Sequence, residues 1–281
     1  MSRLTLAVMG CVVLGALASG CGIATAPGWR QKIKYTPSSD PDPSIRSDRD
    51  GSIQLAKHED AIVRVVGPTM TCTGTVIDDD LVLTAHHCLV ERDPKGSFSK
   101  TLLDAKTVKV ELGGDYFAWG EVGAKHIVAP PCGESGGAGD LAIIVLTRKI
   151  VGLSTMTPRL DGPPKVGELA TASGFGRCAL SGDAIKRKDR EGGPVRALTS
   201  ETLHLDASIC PGDSGGPVFA KGSREIIGVV SLAAMDHDER TRGPAVMARL
   251  DAHRSVFAHA RLIADGTSPN ELPPLECNGK Q

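Results

Sequence analysis

Beyond residue 56 the chain alternates short apolar runs with turn residues, at a spacing that suits strands rather than helices. Residues 61–66 form a β-branched run stopped by Gly67-Pro68. Residues 75–77 and 81–84 flank Asp78-Asp79-Asp80, which predicts a hairpin with an acidic turn. Further strands are predicted over 107–112, 120–127, 141–146, 168–172, 199–205, 217–219, 226–231 and 245–249. Many short strands at close intervals predict an all-β sandwich or barrel. Residues 250–264 instead carry helical periodicity, with Asp251 in the first turn and Gly266 just past the end. A tail over 266–281, with Pro269, Pro273, Pro274 and Cys277, follows. No solenoid-type repeat is present.

The N-terminal pattern is of another kind. Arg3 precedes an apolar run over 4–17, and Ala18-Ser19-Gly20-Cys21 follows. A basic start, an apolar stretch and small residues at the cut describe a secretory signal peptide. The run falls short of the roughly 20 residues a membrane-spanning helix needs. Leu17-Ala18-Ser19-Gly20-Cys21 also resembles a bacterial lipobox, in which the Cys becomes the first mature residue and carries lipid. That resemblance implies a signal peptide over 1–20, lipidation at Cys21 and attachment to a membrane through the lipid. Gly22 is not the Asp that favours inner-membrane retention in that family, which implies an outer-membrane lipoprotein. Plain secretion with Cys21 unmodified is the other reading. Residues 21–56 are polar and proline-rich, above all over 35–43, and predict a flexible tether. The folded domain is placed at 57–265.

Composition narrows the function. Thirty-two Lys+Arg against 33 Asp+Glu leave a net charge of -1, which gives no electrostatic case for nucleic acid as a partner. Aromatic residues are only 3%, so Val, Leu, Ile and Ala must build the core. Of eight cysteines, Cys11 leaves with the signal and Cys21 is assigned to lipid. Cys72, Cys88, Cys132, Cys178, Cys210 and Cys277 remain, and an exported chain meets an oxidising compartment. Their spacing is not that of a zinc site, so disulfides are expected and no metal. His58, His126, His204, His237, His253 and His259 show no ligand spacing either, and no cofactor is expected. The charged run from Lys186 to Gly193 reads as a mobile surface loop.

Three motifs carry chemistry. Gly212-Asp213-Ser214-Gly215-Gly216-Pro217, preceded by Cys210, offers a serine in a glycine-rich turn. A nucleophilic hydroxyl needs such exposure, with backbone N–H groups nearby for a developing oxyanion. Leu83-Thr84-Ala85-His86-His87-Cys88 places a histidine at a strand end beside a cysteine that can pin it, as a general base requires. Asp140 opens the apolar run 141–146, where burial requires that its charge be paired. A carboxylate behind a histidine fixes its tautomer and stabilises the imidazolium.

In the order His, Asp, Ser, these motifs resemble the chymotrypsin-like (trypsin-fold) serine peptidases over residues 57–265. His86-His87-Cys88 stands where that family has Ala-His-Cys, which assigns the base to His87. Asp140 is similar to the aspartate of the family's Asp-Ile-Ala-Leu strand, and Ser214 to its nucleophile. Residues 172–176 and 228–231 resemble its Gly-Trp-Gly strand and the strand that pairs with substrate backbone. The resemblance implies two antiparallel six-stranded β-barrels with a C-terminal helix, a cleft between them, protein or peptide substrates and a monomer. It gives Gly212 and Ser214 the oxyanion-hole amides. It places Ser208 at the pocket base and Ala233 and Ala245 on its walls, with Ser231 on the substrate-binding strand. A serine at the base and a methyl on each wall imply cleavage after small or medium apolar residues. By analogy of position, Cys72 pairs with Cys88 and Cys178 with Cys210, leaving Cys132 for Cys277. In the family the acid at the position of Asp213 meets a new N-terminus made by activation cleavage. No family-like Ile-Val-Gly-Gly start is present near Ile45, Arg49 or Ile53, so either an unmarked cut occurs near Ser52 or the enzyme works uncut. A catalytically silent homologue serving as a binding module, and an esterase, are the competing functions.

Overall fold

A computed structural model of the protein describes residues 57–114, 117–178, 185–223, 225–235, 241 and 243–277. The signal peptide, Cys21, the tether, His237 and residues 278–281 lie outside the described residues. The β-branched runs form strands because each can bury one or both faces. Strand β1 (Ile62–Val66) pairs with β2 (Thr71–Asp78), and β2 turns through the acidic triplet into β3 (Leu81–Thr84). Outside these lies a two-stranded ribbon of β4 (Val90–Arg92) and β5 (Phe98–Leu102). Strands β6 (Lys109–Leu112), β7 (Gly120–Val128) and β8 (Ala142–Leu146) complete a closed antiparallel barrel in the order β1-β2-β3-β8-β7-β6. Val65 opposite Val110 closes it.

The short strand β9 (Thr157–Pro158) leads towards the second barrel and runs parallel to Glu225 and Ile226 of that barrel. That barrel is built from β10 (Leu169–Gly174), β12 (Gly193–Leu198), β13 (Thr202–Leu205), β14 (Pro217–Ala220), β15 (Glu225–Leu232) and β16 (Ala245–Arg249). The strand order is β10-β12-β13-β16-β15-β14, and β14 returns to β10 with Phe219 opposite Thr171. Strand β11 (Lys188–Asp189) extends β10 at one corner. Two closed six-stranded antiparallel barrels thus leave few open edges. Apolar side chains such as Val76, Leu83 and Ile143 fill the first barrel, and Leu205, Ile227 and Met247 the second.

The chain then crosses back to the first barrel. A 3₁₀ turn over Asp251–His253 precedes helix α1 (Arg254–Ala264), so the predicted helix begins four residues late. Val256, Phe257, Ala260 and Ile263 join the core of the first barrel. Arg261 fixes the helix by bonding Asp80 through both terminal nitrogens (2.9 and 3.1 Å) and Asp78 at 2.9 Å. Residues 105–107 likewise form a 3₁₀ turn, and strand β6 starts only at Lys109. Among the described residues no helix is long and apolar enough to cross a membrane.

Candidate active site

Strand β3 ends at Thr84, and a 3₁₀ turn over His86–Leu89 follows at once. This turn points the two adjacent histidines at different partners. His87 Nδ1 lies 2.7 Å from Asp140 Oδ2, and the His87 backbone N–H donates to Asp140 Oδ1 at 2.9 Å. His86 Nδ1 instead meets the Cys132 carbonyl at 2.8 Å, and burial holds its imidazole below the usual histidine range. Phe98 on β5 packs in a T-shaped pair with the His87 ring, with centroids 5.4 Å apart at 72°. Arg92 in turn lies 4.1 Å over Phe98.

Asp140 is wholly buried at the mouth of β8. It accepts a third bond, at 2.5 Å, from the Ser231 hydroxyl on β15, so the second barrel contributes to holding it. Ser231 Oγ in turn accepts from the Gly137 N–H at 2.7 Å. The loop before Asp140 folds tightly. Gly133 has φ +88°, and a Cβ there would fall 2.1 Å from the Gly139 carbonyl carbon, so only glycine fits. The sequence placed Ser231 on the substrate strand but gave no sign that its hydroxyl reaches Asp140.

Ser214 sits half-buried in the turn before β14. Thr73 on β2 ties this turn to the first barrel. Its N–H donates to the Ser214 carbonyl (2.8 Å), and its hydroxyl donates to the Gly212 carbonyl (2.8 Å) and accepts from the Phe175 N–H (3.0 Å). A Cβ on Gly215, at φ +83°, would lie 2.2 Å from both the Thr73 carbonyl and Thr84 Oγ1. The glycine therefore lets the serine turn press against the end of β3, where the His87 turn begins. The Ser214 carbonyl oxygen comes within 3.8 Å of the Cys88 sulfur, next in sequence to His87.

The two amides read as oxyanion donors are oriented by their neighbours. The Pro211 carbonyl accepts from Arg177 N–H (2.9 Å) and the Asp213 carbonyl from Gly216 N–H (2.8 Å). In a trans peptide the N–H of the next residue faces the opposite way, so the N–H groups of Gly212 and Ser214 point away from these bonds. Asp213 itself is wholly buried against Arg190 of the charged run. The run is therefore only partly surface loop, and nothing in its charge pattern marks Arg190 as buried. Arg187 likewise pairs with Asp60 at 3.2 Å, and Asp189 takes the Ser173 hydroxyl.

Of the pocket residues, Ser208 is exposed and donates its N–H to the Glu191 carbonyl at 3.1 Å. Ala245 is wholly buried in the second barrel's core, and Ala233 packs against that cluster. Cys72 is joined to Cys88 beneath His87, Cys178 to Cys210 beside the serine turn, and Cys132 to Cys277 across 145 positions. The sulfurs around His87 are thus committed to a disulfide. The clustered carboxylates of Asp78, Asp79 and Asp80 are met by Arg261 and Lys149.

Two closed barrels, with an Asp–His pair on the first and a serine turn of the second bound against it, define a protein of the chymotrypsin fold. The chain belongs to the trypsin family, whose model matches residues 51–256. It is 28% identical over 185 residues to trypsin epsilon of Drosophila erecta, covering 57% of this chain and 66% of the fly protein. A Corynebacterium glutamicum protein named as a peptidase is 25% identical over 225 residues, covering 76% of this chain and 70% of its own. The chain thus spans about two thirds of the length of these relatives. Neuropsin, a serine protease of mouse brain, shares the fold at a TM-score of 0.56 and 16% identity, over 74% of this chain and 97% of its own.

Proposed function

We propose that the protein is an exported serine endopeptidase that uses Ser214, His87 and Asp140. The observation that carries this reading is the buried Asp140–His87 pair at 2.7 Å, with the Ser214 turn bound to Thr73 beside it. In this reading Ser214 Oγ attacks the peptide carbonyl carbon while His87 Nε2 takes its proton. Asp140 keeps the Nδ1–H tautomer and stabilises the imidazolium. The N–H groups of Gly212 and Ser214 receive the oxyanion. His87 then protonates the leaving amine, and water repeats the sequence on the acyl-enzyme.

On the family resemblance Ser208 brings no carboxylate to the pocket base and Ala233 adds a methyl to its wall, whereas Ala245, wholly buried in the barrel core, offers the pocket no surface. These favour small or medium apolar residues before the cut over Lys or Arg. Three disulfides suit an extracellular or other oxidising compartment. Lipidation at Cys21 would hold the domain at a membrane on its tether. The test is hydrolysis of a peptide library by the parent chain and by Ser214→Ala. Cleavage after Ala, Val or Leu that vanishes in the variant supports the reading. Faster cleavage after Arg overturns the pocket assignment. No hydrolysis by the parent overturns the peptidase reading in favour of a binding module.

A further inference from the structure

We infer that Arg190 is a built-in counter-ion for Asp213, a positioning residue that sets the serine loop in its working form without any cut in the chain. The inference rests on the peptidase reading above and adds to it a residue and a mode of activation. Asp213 lies between the two residues whose amides receive the oxyanion, so the placement of its carboxylate governs theirs. A buried carboxylate must be paired, and here the pairing is complete. Oδ1 accepts from Gly176 N–H and from Arg190 Nη2, both at 2.8 Å. Oδ2 accepts from Cys210 N–H at 2.9 Å, and Arg190 Nε stands 2.7 Å from it. The Nε contact is out of hydrogen-bonding alignment and acts as an ion pair. A carboxylate offers about four acceptor sites, and these four groups occupy its surroundings.

Arg190 is anchored as firmly as the acid it serves. Its side chain is 10% exposed. Nη2 also donates to the Gly176 carbonyl at 2.6 Å. Its backbone N–H donates to the Ala172 carbonyl (2.7 Å), and its carbonyl accepts from the Thr171 hydroxyl (2.6 Å). Arg190 therefore joins β10 through its backbone, and Gly176 and the serine loop through its guanidinium. An ammonium arriving from a cut upstream of residue 57 would have to displace a planar fork that is already paired, and Asp213 offers it no vacant oxygen. Without Arg190 the carboxylate would be left buried and unpaired. The loop would relax to carry it towards water, turning the Gly212 and Ser214 amides as it moved.

The test uses the purified full chain. Parent, Arg190→Gln and Arg190→Lys are treated with a fluorophosphonate probe and assayed on peptide substrate, with intact mass taken of the labelled molecules. We expect labelled parent molecules to carry the N-terminus left by signal removal, with no further cut. Arg190→Gln is expected to lose about 100-fold in kcat. Its KM should change less than its kcat, since the substituted side chain bonds the oxyanion loop rather than a substrate side chain. Arg190→Lys should keep roughly a tenth of parent turnover, because one charge remains without the fork. Equal losses in the Lys and Gln variants, both folded by circular dichroism, would overturn the assignment by showing that packing and not charge matters. Where Arg190→Gln does not fold, the mass measurement decides alone. Labelled parent molecules that all begin at a new N-terminus between residues 45 and 56 would overturn cleavage-free working. A parent that is never labelled, cut or uncut, would instead overturn the peptidase reading and this inference with it.

Discussion

Replacing Asp140 by Asn removes a charge while keeping volume, and the structure sets the consequence. Three donors converge on this carboxylate: the His87 backbone N–H on Oδ1, and His87 Nδ1–H and Ser231 Oγ–H on Oδ2. An amide has one oxygen for these three. With its NH₂ at the Oδ1 position it faces the His87 N–H, donor against donor. With its NH₂ at the Oδ2 position it faces Nδ1, which must then become the acceptor. The proton moves to Nε2, and that nitrogen can no longer take a proton from Ser214 as the proposed mechanism requires. Either arrangement also removes the negative charge that stabilises the imidazolium. In this class of triad such a change costs about 10⁴-fold in kcat. That is about 5 kcal/mol on the barrier. Steady-state hydrolysis of a peptide substrate is the assay, with fluorophosphonate labelling as a measure of Ser214 reactivity. KM should change little, because no pocket residue moves. A variant within about tenfold of the parent would refute the role given to Asp140.

Two further perturbations probe the scaffold. Arg261→Ala removes the clamp of α1 on Asp80 and Asp78 and leaves these two carboxylates without their cation. We expect a loss of about 1–2 kcal/mol in thermal or denaturant unfolding, with turnover unchanged, and an unaltered melting temperature would refute the clamp. Burial pushes the His253 imidazole down to about 4, with Asp251 opposing the shift and Arg249 reinforcing it. The folded state thus binds this proton less readily than the unfolded chain, whose histidine titrates near 6.5. The stability it contributes is complete above that value and is lost as pH falls towards about 4. Glu201, 3.4 Å away, is pushed up by burial and contributes in the opposite sense, losing stability as pH rises through its folded value. The melting temperature should therefore fall across this acid range, less steeply in His253→Gln, and parallel profiles for parent and variant would refute the assignment.

The fold was legible where side-chain pattern alone decides. Strand β3 and strand β16 match their predicted spans because unbroken apolar runs leave no other solution. Strand β12 was missed because it opens on Gly193-Pro194, which reads as a turn, and pairing with β13 overrides that signal. Strand β5, Phe-Ser-Lys-Thr-Leu, has neither clean alternation nor a buried face. At the site, the residue types and their order were visible, whereas the relations among them were not. Two adjacent histidines offer the same chemistry in one dimension; the place of His87 before Cys88 singles it out by resemblance, and the fold gives the two rings their separate partners. Arg190 lies 23 positions from Asp213 in a run whose charges suggest solvent, and its bonds to Ala172 on β10 and to Gly176 hold it inside. Ser231 is an ordinary strand serine until β15 is set beside the Asp140 loop.

The most direct measurement is the site of reaction with a fluorophosphonate probe on the full chain, mapped by peptide mass spectrometry. We expect one phosphonyl group per molecule on Ser214, lost in Ser214→Ala and slowed by about six decades in His87→Ala. Labelling elsewhere, or a parent chain that is folded and inert to the probe, would contradict it.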